Sequence, residues 1–268
     1  VKTIPPEGTK FITSTTDLTQ IVNHRYDPVT YDDTVYTAHK LETRYWYNSL
    51  NQPRKQYTPD GDTTRFWYDV VGRLAVSQSA RQRPDTFSYT LYDALGRITQ
   101  VGKLAQTTDM TQAISQSPSS LSGWISGATN RGEVTRTFYD AAVFSVPGLT
   151  QENLRSRVSS TTYADAYSAT LTSYDVATHY SYDIAGNVKT LVDDIKSLNS
   201  YKERYKRIDY EYDLVSGNVN RVNYQADSAD QFFYRYSYDA DNRITEALTS
   251  RDGYIWDRDA NYFYYDHG

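Results

Sequence analysis

The sequence predicts an all-β protein made of an array of antiparallel hairpins, and three observations predict it. A pattern recurs: Tyr-x-Tyr-Asp, two variable residues, Gly or Asn, Arg or Asn, then an aliphatic residue. One copy reads Tyr180-Ser181-Tyr182-Asp183-Ile184-Ala185-Gly186-Asn187-Val188. Others read Phe66-Trp67-Tyr68-Asp69-Val70-Val71-Gly72-Arg73-Leu74 and Tyr236-Ser237-Tyr238-Asp239-Ala240-Asp241-Asn242-Arg243-Ile244. The key tyrosines recur at a period of a few tens of residues: Tyr47 to Tyr68 is 21 residues, Tyr68 to Tyr92 is 24, Tyr182 to Tyr212 is 30, Tyr212 to Tyr238 is 26 and Tyr238 to Tyr265 is 27. Two strands and two turns fill such a period, whereas a four-stranded propeller blade needs roughly 40 or more residues. Finally, Leu, Ile, Val and Phe make up only 52 of 268 residues, but 27 Tyr and 4 Trp supply further core material. Aromatic side chains favour the pleated, half-buried surface of a strand.

The turn comes first in the unit. Asp, two permissive residues and Gly make a type I turn closed by a residue with positive φ. Asp69 to Gly72, Asp93 to Gly96 and Asp183 to Gly186 fit this pattern. Asn242 and Asn51 stand where Gly is missing, and Asn is the residue that next best tolerates the left-handed region. Asp213-Leu214-Val215-Ser216-Gly217 carries one extra residue and is expected to form a longer loop. Before the turn, Tyr-x-Tyr sets two rings on one face of a strand. After it, Arg73-Leu74, Arg97-Ile98 or Arg243-Ile244 begins the returning strand. A lone hairpin is marginal in water, so neighbouring hairpins are expected to pair edge to edge.

The organisation expected is residues 1–40 as irregular lead-in strands, because Tyr26-Asp27 and Tyr31-Asp32 lack the downstream Gly-Arg, and 41–268 as the hairpin array. Two insertions break the rhythm. One covers about 105–132, a Ser/Thr/Gln-rich loop with a short helix near 121–125, and the other about 141–154. Residues 163–182 read as long strands around a looser turn at Tyr174-Asp175. The chain starts Val1-Lys2-Thr3 and stops at Tyr265-Asp266-His267-Gly268 as another turn begins, so it is expected to be a fragment of a larger polypeptide.

Charge and motifs narrow the chemistry. With 28 basic and 33 acidic residues and a net charge of −5, no basic stripe for nucleic acid is present. No apolar run approaches the ~20 residues of a membrane span. The absence of Cys excludes disulfides and Cys-ligated metals, and suits export. His24, His39, His179 and His267 are scattered without ligand spacing. Asp60-x-Asp62-x-Thr64 and Asp257-x-Asp259-x-Asn261 hint at calcium loops, but Arg65 and Tyr262 stand where the loop needs Gly, and Val71 stands where the first needs Glu. Both are read as turn carboxylates. Asp residues that recur at one place in every unit cap turns; a catalytic residue is normally unique. No nucleophile elbow, P-loop or dinucleotide fingerprint occurs. The expectation is no enzyme, no cofactor and no metal.

The residues of interest are therefore structural: Tyr68, Asp69, Gly72 and Arg73; Tyr92, Asp93, Gly96 and Arg97; Tyr182, Asp183 and Gly186; Tyr212, Asp213 and Gly217; Tyr238, Asp239, Asn242 and Arg243. This motif resembles the YD-repeat, or RHS-repeat, family over about 41–268. The resemblance implies one long β-strip spiralling into a hollow shell, as in bacterial Rhs proteins, insecticidal toxin-complex cocoons and the teneurin barrel. It also implies a secreted or cell-surface bacterial container that encloses a C-terminal effector, a toxin in many members. The partners it implies are the rest of the polypeptide and that effector. Many such shells end in an aspartate-dependent self-cleavage segment, which does not occur in this chain. A reading of a different class is a cell-surface adhesion or carbohydrate-binding module, in which the tyrosines stack on glycans.

Overall fold

The computed structural model describes residues 2–9, 11–12, 14–26 and 41–265. Its strands follow one another in a single 16-stranded antiparallel sheet whose spatial order is the chain order. Chain-order neighbours are what short turn signals demand, since a hairpin can connect only adjacent antiparallel strands. The chain divides into two compact units, residues 1–89 with 104–130, and residues 90–103 with 131–268.

In the first unit, β1 (Lys2–Thr3) pairs with β2 (Thr43–Tyr47), followed by β3 (Pro53–Thr58), β4 (Asp62–Tyr68) and β5 (Leu74–Gln78). Helix α1 (Thr15–Tyr26) stands where lead-in strands are expected. Leu18, Ile21 and Val22 recur at i, i+3 and i+4, a helical spacing that outweighs the Tyr-Asp pair at its end. Asp27, Tyr31, Asp32 and His39 lie outside the described residues. The first insertion forms two helices, α2 (Gln112–Ser115) and α3 (Pro118–Ser126), so its helix begins earlier than expected. Thr111 and Ser117 cap them, each side chain accepting from the amide three residues on. Trp124 and Ile125 of α3 are buried, as are Val76, Phe87 and Leu104. Trp124 meets Phe87 edge-on at 5.1 Å between ring centres. Its indole N–H donates to the Thr108 carbonyl at 2.8 Å. The insertion is thus the second layer against which this part of the sheet buries its apolar face.

The boundary between the units falls along β6 (Thr86–Tyr92), β7 (Ile98–Ala105) and β8 (Asn130–Tyr139). The second unit continues with β9 (Val158–Ala166), β10 (Val176–Tyr182), β11 (Val188–Ile195), β12 (Tyr205–Tyr212), β13 (Val219–Tyr224), β14 (Phe232–Tyr238), β15 (Ile244–Ser250) and β16 (Asp257–Asn261). The second insertion runs as irregular chain between β8 and β9 and lies on β9 and β10. Phe144 packs edge-on to Phe138, Tyr174 and His179 at 5.1, 5.5 and 5.4 Å. Gln151 donates to the carbonyls of Ser159 and Tyr180, at 2.6 and 2.9 Å. The suspected calcium motifs fall in or beside strands: Asp62 and Thr64 in β4, and 257–261 as β16. An extended strand rises about 3.3 Å per residue, so alternate residues stand in a row ~6.6 Å apart and do not wrap around one ion.

Candidate functional site

Each repeat builds the same small constellation. Gly72, Gly96, Gly186 and Gly217 have φ of 85°, 82°, 102° and 74°, and Asn242 and Asn51 have 61° and 59°. The amides of Gly72, Gly96, Gly186 and Asn242 donate to the carbonyls of Asp69, Asp93, Asp183 and Asp239 at 3.0 to 3.2 Å. Gly217 closes on Asp213 one residue later in the chain, also at 3.0 Å. The acid organises its turn as well. Oδ1 of Asp69 accepts the amides of Val71 and Arg73, at 3.0 and 2.8 Å. Asp93 and Asp239 repeat the arrangement at their own turns. Asp183 takes Gly186 and Asn187 at 2.7 and 2.8 Å, and Asp213 takes Val215 and Ser216 at 3.0 and 2.7 Å.

The residue after the glycine closes on the same carboxylate. Arg73, Arg97 and Arg243 donate Nε–H to Oδ2 of Asp69, Asp93 and Asp239 at 2.7, 2.7 and 2.8 Å, and Asn187 donates Nδ2–H to Oδ2 of Asp183 at 2.9 Å. Desolvation pushes Asp93 and Asp183 upward, but the bonds from Arg97 and Asn187 and the turn amides hold both below the ordinary carboxylate value. Amide hydrogen bonds from Arg243 and from Ser216 lead the lowering at Asp239 and Asp213. All four acids are ionised at neutral pH.

A second feature is invisible in the repeat itself. The last tyrosine before a turn donates its hydroxyl to the carbonyl of the first strand residue after the preceding hairpin's turn. Tyr68 reaches Pro53 at 2.8 Å, Tyr139 reaches Ile98 at 3.0 Å, and Tyr182 reaches Val158 at 2.8 Å. Tyr212 reaches Val188 at 2.9 Å and Tyr238 reaches Val219 at 2.7 Å; near the end of the described residues Tyr264, one place before the key tyrosine Tyr265, reaches Ile244 at 2.7 Å. Burial pushes the hydroxyls of Tyr68, Tyr182, Tyr212 and Tyr238 above the ordinary phenol value, so each remains a donor. Tyr92 ends β6 at the equivalent place, directly before Asp93. Arginines reinforce the link: Arg97 lies over Tyr139 at 4.2 Å and Arg243 over Tyr264 at 4.6 Å. Turns also touch turns. Arg97 bonds Asp140 at 2.7 Å, Asn218 bonds Asn242 at 3.0 Å, and Gln52 bonds the Gly72 carbonyl at 2.7 Å. The recurring aliphatic position is therefore also an acceptor position, and the tyrosine spacing was the one trace of it in the sequence.

One buried polar cluster escapes the repeat logic. His179 and Ser160 are fully buried, with Nδ1 and Oγ 2.8 Å apart. Asp194 is nearby on β11; it accepts from Tyr174 at 2.6 Å and from Arg204 at 2.5 and 2.8 Å. Burial would raise Asp194, but the bonds from Arg204 and Tyr174 outweigh it and hold its pKa down. Burial lowers that of His179, whose Nε2 has no hydrogen-bond partner. Ser, His and Asp are the residue types of a nucleophile, base and acid. Here the hydroxyl is sealed from solvent and both carboxylate oxygens are engaged, so the cluster's visible work is to join β9, β10 and β11. Among the described residues no group of His and acidic side chains is placed to hold a metal ion.

No family model matches the sequence, and no curated protein matches it. Solved structures do. The crystal structure of TcdB2-TccC3-TEV aligns with a TM-score of 0.52 at 10% identity, covering 88% of this chain and 10% of that chain. A porin-like protein from Bacteroides uniformis aligns at a TM-score of 0.28 and 10% identity, covering 67% of this chain and 51% of that one. A Photorhabdus luminescens Tc holotoxin pore aligns at 0.21 and 11% identity, covering 79% and 16%. The likeness in fold rests on the first of these, of which this chain spans about a tenth. By fold, the chain is a strip of antiparallel hairpins, and it shares that fold with the TcdB2-TccC3-TEV structure.

Proposed function

We propose that the chain is a stretch of an RHS-type shell wall, whose work is to enclose and protect a passenger polypeptide, a toxic effector being the foremost candidate. The observation that carries this reading is the aromatic face of β12–β14. The register sets Tyr210, Val222 and Tyr234 side by side, and Ile208, Tyr224 and Phe232 beside them. Tyr234 and Tyr236 stack at 6.5 Å, and Phe232 meets Tyr234 at 5.1 Å. These rings stay half-exposed, Tyr234 at 37%. Tyrosine combines a large apolar ring with a polar tip. A wall of such rings offers many weak contacts to an unfolded chain while its hydroxyls keep it wettable. The tyrosine-to-carbonyl links make each hairpin a bed for the next, which suits a wall that grows by repetition.

The setting that goes with this is a secreted or cell-surface bacterial complex, with the rest of the polypeptide and the passenger as partners. No helix among the described residues is long and apolar enough to cross a membrane. The test is protease protection in the parent protein. The passenger should resist digestion while the wall is intact and become sensitive when Tyr212 and Tyr238 are both changed to Asp. Digestion at the rate of the free passenger with the wall intact would end the proposal.

A further inference from the structure

Two repeats carry the identical run Tyr-Ser-Tyr-Asp, at 180–183 and 236–239, and their surroundings correspond. The ladder between β9 and β10 ends at Ser160↔His179, and that between β13 and β14 ends at Arg221↔Arg235. Beyond the last pair each repeat has an opening, closed further on by the tyrosine that reaches Val158 or Val219. Ser159 and Tyr180 flank one opening; Asn220 and Tyr236 flank the other.

At β9 and β10 the protein fills the opening itself. Residues 150–153 of the second insertion cross it as a strap. The Gln151 side-chain amide donates to the carbonyls of Ser159 and Tyr180, at 2.6 and 2.9 Å. Ser181 Oγ accepts the Glu152 amide and donates to the Thr150 carbonyl, each at 3.0 Å. The Tyr182 amide donates to the Glu152 carbonyl at 3.2 Å, and the Tyr182 carbonyl accepts from Asn153 Nδ2 at 2.9 Å. Lys189 adds an ion pair to Glu152 at 3.0 Å. Main-chain bonds of this kind are how a sheet takes up an extended peptide. Ser159 and Ser181 are sealed beneath the strap, 0% and 2% exposed.

At β13 and β14 the same opening is a cavity of about 390 Å³, bordered by Asn218, Asn220, Tyr236, Ser237 and Tyr238. Ser237 stands where Ser181 does, on the face opposite Tyr234 and Tyr236, and both it and Asn220 are exposed. A serine suits the place because its hydroxyl gives and accepts at once, as a peptide backbone requires. Glu211 holds that position in the repeat between; a carboxylate only accepts, and this one already takes the Asn223 amide. The charge differs in one respect. Thr245 replaces Lys189, and Asp213 joins the border. A basic residue is favoured there where the strap has Glu152.

We propose that this opening binds an extended peptide of a partner protein, a Gln followed by Lys or Arg and then Asn, as the strap is bound in its own repeat. The Gln amide bridges the carbonyls of Asn220 and Tyr236, the peptide backbone exchanges bonds with Ser237 Oγ and the Tyr238 amide, and the cation faces Asp213. The site lies on the face away from the tyrosine rings, so it stands whatever the sheet encloses.

Fluorescence anisotropy on the intact chain tests it. The probe is labelled Leu-Thr-Gln-Lys-Asn-Leu, the sequence of residues 149–154 with Lys in place of Glu. Saturable binding with Kd under ~1 mM is expected. Probes with the original Glu, or with Ala for Gln, should bind clearly more weakly. Ser237→Ala, at an exposed position, removes a donor and an acceptor and should weaken binding on the order of tenfold. Tyr201→Ala, an exposed tyrosine between β11 and β12, should leave binding unchanged. No saturation at millimolar probe, binding that survives Ser237→Ala, or equal binding of the Glu or Ala probe would each overturn the assignment.

Discussion

The Tyr212 hydroxyl donates to the carbonyl of Val188, 2.9 Å away and 24 residues earlier in the chain. Val188 opens the returning strand of one hairpin, and Tyr212 closes the outgoing strand of the next. The register shifts at both residues, since Tyr182 pairs Val188 and Tyr212 pairs Val219 across a bulge. A bulge takes a backbone group out of the regular ladder. The tyrosine supplies the missing partner, and in doing so fixes the position of one hairpin against the last.

Tyr212→Phe keeps the ring and removes the donor. Stability should fall by about 1 kcal/mol, the net worth of a hydrogen bond that leaves an unpaired carbonyl behind. Tyr180→Phe, whose ring stacks on Tyr182 at 6.4 Å, should cost clearly less, because among the described residues no carbonyl accepts from its hydroxyl. Urea unfolding of the two variants makes the comparison, and equal losses would remove the linking role from Tyr212.

Gly186→Val should be the most damaging of the turn substitutions. Its φ of 102° is a region side chains avoid, and a Cβ would lie 2.6 Å from Arg157 Nη2. Gly217→Ala meets nothing within 4 Å at φ 74°, so only backbone strain of about 1–2 kcal/mol applies. A melting temperature for Gly186→Val at or above that of Gly217→Ala would contradict this ordering.

Asp183→Ala should destabilise more than Asp183→Asn. Asparagine keeps an oxygen for the amides of Gly186 and Asn187, whereas alanine leaves both without a side-chain acceptor. Thermal melts at neutral pH decide between them.

His179 makes stability pH-dependent. Burial holds its folded pKa below the ordinary 6.5, so the fold prefers the neutral ring. The contribution is intact above pH ~6.5 and is lost as pH falls from there toward the folded value, with a slope of at most about 1.4 kcal/mol per pH unit. The surrounding groups temper this: Asp193 and Asp194 favour the charged ring, and Arg204 opposes it. Between pH 7 and 5 the unfolding free energy of the wild type should fall more steeply than that of His179→Gln. The depressed turn acids act lower, their contribution being lost as pH falls through values under 3.8. Parallel profiles for the two proteins would show that the ring does not titrate on unfolding.

Trp124→Ala should be severe, about 3–5 kcal/mol, the cost of emptying a large buried site. The ring is 6% exposed, packs on Phe87 and gives up its indole hydrogen bond with the substitution. A loss under 1 kcal/mol by denaturant melt would mean that the helical insertion does not cover the sheet as described.

What could be read from the residues lay within a few positions of itself. Asp183, Gly186 and Asn187 interact across three or four residues, so strand, turn and returning strand were legible, as was the antiparallel class. Helix α1 is legible in the spacing of Leu18, Ile21 and Val22, although the Tyr26-Asp27 pair at its end carries the signature of a strand and turn. The bond from Tyr212 to Val188, the seat of Phe144 on His179 and the cover that Trp124 provides were settled by folding alone. Each joins groups brought together by strand register, and every bulge resets that register by one residue. Neighbour chemistry sets the turn; the summed register of many strands sets who meets across them, and no short stretch of sequence carries that sum.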